Sequence, residues 1–127
     1  MTSFGLKPIL LPNIGASLDG HLEDTFQATT SGGTTLAQLR EMGSSIFTIA
    51  LGESMRGSAE ILEQKFSITY EVFPHLTGLA ANDNFLQALS TLSNNKVAQK
   101  YRRQRQQLLD AMFDTHFFFG HKKVGLA

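Results

Sequence analysis

The run Ile46-Phe47-Thr48-Ile49-Ala50-Leu51 most narrows what this chain can fold into. It is β-branched and almost wholly apolar, which suits a strand buried on both faces. Such a strand needs helices above and below it, and that is the arrangement of a parallel sheet. The residues that follow agree. Gly52-Glu53-Ser54 reads as a turn into a helix, with Ser54 as its N-cap. Met55, Ala59, Leu62 and Phe66 then recur on one face of a 3.6-residue period. Thr69–Phe73 is the next strand, ended by Pro74.

The same alternation extends both ways. Lys7–Leu11, between Pro8 and Pro12, reads as a short edge strand, and residues 13–34 as a long polar loop. Thr35-Leu-Ala-Gln38 is a capping box that opens a short helix. Leu36, Leu39 and Met42 are expected inward, with Gly43 as the stop. Asn82 or Asp83 is expected to cap a helix with Phe85, Leu89 and Leu92 on one face. A long helix of roughly 30 Å is predicted from about Val97 to Phe118. Gly120 ends it, and Lys122–Ala127 starts a strand. The fold class is therefore α/β, a Rossmann-like parallel sheet with flanking helices.

Composition removes several function classes. The 127 residues include no cysteine, so disulfides and cysteine-ligated zinc or iron–sulfur sites within the chain are excluded. Eleven basic and eleven acidic residues cancel, which argues against a nucleic-acid partner. Apolar runs are too short for a membrane span, and no secretory signal is visible, so a cytoplasmic location is expected. The charge is uneven, however. Residues 1–95 carry four bases against nine acids, and residues 96–127 carry seven bases against two acids.

Five groupings could carry chemistry, and each has a plainer reading. Gly52-Glu53-Ser54-Met55-Arg56 resembles a nucleophile elbow, with Asp110 and His116 downstream, but Arg56 stands where a second glycine belongs. Ser31-Gly32-Gly33-Thr34-Thr35 could hold an anion at a helix start, or simply form a turn before a capping box. Asp19-Gly20-His21-Leu22-Glu23-Asp24 gathers carboxylates and an imidazole without the spacing of a calcium loop. Asp110, Asp114, His116 and His121 lie near one helix end, but His116 is offset from the aspartates' face. Lys100, Arg102, Arg103 and Arg105 surround Tyr101 and suit solvent or an acidic protein surface. His75 follows a strand end without an evident partner. No catalytic residue and no metal ligand is assigned, and cofactor-binding residues stay unknown.

Five strings in order add a resemblance: Leu18–His21, Gly32–Thr35, Ala50–Met55, Arg103–Arg105 and Asp110–Gly120. Together they resemble the nitrogenase component 1 family, and most of all the β-type subunit of the scaffold that assembles the iron–molybdenum cofactor. The Gly52–Arg56 string favours the scaffold over the catalytic β subunit. The resemblance implies a part of a larger oxidoreductase-like subunit for nitrogen fixation. Residues 1–95 would be the later part of a Rossmann-like domain, residues 96–120 a connecting helix, and residues 121–127 the first strand of a following domain. It implies an α-like partner in a heterotetramer. The parent complex would carry iron–sulfur clusters and a cofactor precursor, with cluster ligands N-terminal to this region and no cofactor in this segment. The expected role is structural and subunit-contacting. A catalytic nitrogenase β subunit, a protochlorophyllide reductase subunit and a stand-alone anion-binding module are the alternatives. The aromatic-rich end of the long helix adds the expectation that the chain itself forms a homodimer.

Overall fold

The computed structural model describes residues 1–18, 33–123 and 125. They fall into two compact units, the described residues of Lys7–Leu76 and those of Met1–Leu6 with Thr77–Ala127.

The Lys7–Leu76 unit is built on a strand–helix–strand core. β1 (Thr48–Leu51) pairs parallel with β2 (Tyr70–Phe73), Thr48 opposite Tyr70 and Leu51 opposite Phe73. The ladder is extended at both ends, where Thr48 N–H donates to Thr69 O at 2.9 Å and Gly52 N–H to Phe73 O at 2.8 Å. Gly52 adopts φ 97°, a conformation that residues with a Cβ rarely reach, and so turns the chain away from the sheet. A 3-10 turn over Glu53–Met55 follows, and a longer helix, Arg56–Phe66, returns across both strands. The core is Ala50, Ala59, Ile68 and Phe73. Ala59 is 1% exposed, so its small side chain sets a close helix–sheet approach.

Two shorter helices precede β1: α1 (Gly15–Leu18) and α2 (Leu36–Glu41); Arg56–Phe66 is α3. The capping box at α2 is formed. Thr35 Oγ1 accepts from Gln38 N–H at 3.2 Å, and Gln38 Oε1 accepts from Thr35 N–H at 2.9 Å. Thr34 Oγ1 donates to Leu10 O, tying the first segment to the entry of α2.

The other unit holds α4 (Leu79–Ser93) and α5 (Gln99–Phe119). Leu89 of α4 and Phe4 are each 2% exposed. Phe4 lies in a 3-10 turn, Thr2–Phe4, closed by Gly5 at φ 73°. Asn94 ends α4 in the left-handed region, and Asn95 Nδ2 then donates to Phe4 O at 3.0 Å and to Ser93 O at 3.1 Å.

The parallel α/β class stands, but several local expectations do not. Lys7–Leu11 is not a strand; Pro8 and Pro12 supply no N–H for a ladder, and β1 is accordingly not a central strand among the described residues. Ile46 lies outside β1 and is 75% exposed, and Leu51 at the ladder's end is half exposed. The expected loop over 13–34 contains the single helical turn α1, and residues 19–32 lie outside the described residues. Leu36 is exposed rather than inward. Gly43 stands two residues past the end of α2, in the 3-10 turn Met42–Ser44, without the positive φ of a left-handed stop, and a Cβ there would come 2.8 Å from the half-exposed Phe66 ring. Ser54 is not an N-cap, because the 3-10 turn delays the helix to Arg56. α4 begins at Leu79 after Gly78 at φ 88°; Asn82 lies inside its first turn and donates to Gly78 O at 2.8 Å. Lys122, Lys123 and Gly125 are not in a strand, and the rest of the expected final strand lies outside the described residues.

Candidate interaction surface

α5 begins as an anchored helix. The Tyr101 ring stacks on Phe4 with centroids 6.1 Å apart and planes 8° from parallel. The Ser3 and Tyr101 hydroxyls are 3.2 Å apart, and Lys100 Nζ lies 4.8 Å from the Tyr101 ring centroid. The Ser3 contact, aided by the Lys100 charge, lowers the Tyr101 hydroxyl from its ordinary pKa. One helical turn on, Arg105 grips Asp83 of α4 with both fork nitrogens, Nε to Oδ1 at 2.7 Å and Nη2 to Oδ2 at 2.8 Å. That bidentate contact holds the Asp83 carboxyl below its usual value and raises the Arg105 guanidinium. Arg102 and Arg103 are exposed.

Beyond Gln107 the helix changes character. Taking 100° per residue, Leu108, Phe119, Met112, Leu109, Phe113 and Phe117 span half of its circumference, while Asp110 and Asp114 lie outside that arc. Leu109 is half-buried, and the others are exposed, Phe117 by 83%. His116 lies inside the arc, its ring edge-on to Phe117.

Among the described residues the other sequence candidates are not assembled into sites. Ser54 is exposed in its 3-10 turn, and Asp110 and His116 are exposed on α5. Among the described residues no three His, Asp or Glu side chains converge as metal ligands. The Asp19–Asp24 cluster and Ser31-Gly32 lie outside the described residues; Gly33 beside them has φ 101°. His75 is exposed. The Gly52–Arg56 string instead holds an ion pair. Arg56 Nε bonds Glu53 Oε1, and Nη2 reaches Oε2 at 3.1 Å. This pair lowers Glu53 and raises Arg56, which also meets the Tyr70 hydroxyl. Sequence reasoning missed the Phe4–Tyr101 stack and the Asp83–Arg105 pair, since each joins residues remote along the chain.

The whole length, residues 1–127, matches the family of nitrogenase component 1 type oxidoreductases. The chain belongs to that family. Within it, the chain is 61% identical over 127 residues to the nitrogenase iron-molybdenum cofactor biosynthesis protein NifN of Nostoc sp. and covers 29% of that protein. It is 51% identical over 135 aligned positions to the same-named protein of Rippkaea orientalis, again 29% of its length. With that of Bradyrhizobium diazoefficiens the identity is 44% over 126, covering 27%. The component 1 fold is also seen in a solved structure of nitrogenase Cp1 at pH 6.5. It superposes with a TM-score of 0.76 at 28% identity, over 82% of this chain and 23% of that one. This chain thus spans between a quarter and a third of the relatives it matches. Among the described residues no helix is long and apolar enough to cross a membrane.

A resident iron–sulfur cluster, which the family resemblance raises for the parent complex, does not fit the residues of this chain. Such clusters need thiolate ligands, and the chain has none.

Proposed function

We propose that this chain is one part of a scaffold subunit on which the iron–molybdenum cofactor of nitrogenase is assembled, and that its role is structural and subunit-contacting rather than catalytic. The observation that carries this reading is the 61% identity to NifN of Nostoc along all 127 residues. The α/β core, with its ion-paired turn at Glu53–Arg56 and its capping box at Thr35–Gln38, is compatible with a scaffold role. In the proposal, residues 1–95 belong to a Rossmann-like domain, residues 96–120 form its connecting helix, and residues 121–127 lead into a further domain. The larger subunit works in the cytoplasm with an α-like partner in a heterotetramer. That partner holds most of the maturing cofactor, and the cluster ligands lie in other parts of the subunit.

A chimera tests the reading. This chain replaces the matching stretch of the Nostoc protein in a strain lacking its own copy. Growth on dinitrogen as sole nitrogen source is the expected result. The reading fails if that chimera is inactive while the same stretch grafted into a catalytic nitrogenase β subunit supports dinitrogen reduction.

A further inference from the structure

We draw no further inference here: the strongest candidate, the exposed apolar patch around Phe113 and Phe117 on the C-terminal half of α5, is an unpartnered face, and nothing in the structure shows what covers it.

Discussion

Replacing Phe4 with alanine should cost far more than a surface substitution usually does. Phe4 is 2% exposed, its ring stacks on Tyr101, and its carbonyl accepts from Asn95. A phenylalanine buries 150 Å² or more, which at about 25 cal/mol per Å² is about 4 kcal/mol. Residual compactness of the unfolded chain trims that by 10–40%, to about 3 kcal/mol. A cavity would add to the cost as far as the surroundings fail to collapse, so about 3 kcal/mol is the least loss expected. Urea unfolding followed by circular dichroism measures it, with Phe4→Leu as a control that keeps volume but gives up the stack. The leucine variant should lose less than half as much. A Phe4→Ala loss below about 1 kcal/mol would refute the reasoning, because it would mean that the 3-10 turn does not hold this ring on the helices.

Gly52→Ala should destabilise by about 1–2 kcal/mol, since φ 97° is costly for a residue with a Cβ; an unchanged urea midpoint would contradict it. Thr35→Ala should remove about 1 kcal/mol by breaking the capping box, visible as a lower urea midpoint. Asp83 has its carboxyl pKa depressed by Arg105, so its contribution is present above the unfolded carboxylate value and lost as pH falls through the folded one. Asp83→Asn should therefore be less stable than wild type at neutral pH, and the gap should close on acidification and narrow with salt. Ala59→Leu should destabilise by about 1–3 kcal/mol by forcing α3 off the sheet, read by thermal melting.

The pattern of residues determined the class of fold. The run Ile46–Leu51 marked a strand, though only its Ala50 is buried, and a capping box such as Thr35–Gln38 closes between neighbours, so the presence of both was legible locally. The long helix was legible too, within two residues at its start and one at its end, because its period and Gly120 are local signals. The resemblance to the component 1 family was carried by five short strings, none of them a catalytic constellation. What sequence could not supply was pairing at a distance. Asp83 and Arg105 are 22 residues apart, and Phe4 and Tyr101 are 97 apart. Nothing in either neighbourhood marks the partner, and only tertiary packing brings them together. Helix starts shifted for a related reason. Ser54 and Asn82 have the right side chains for caps, but the backbone turns at Gly52 and Gly78 decided where α3 and α4 begin. Lys7–Leu11 looked like a strand by composition, yet a strand exists only where a neighbour's N–H and C=O groups complete its ladder, and the tertiary structure provides none there among the described residues.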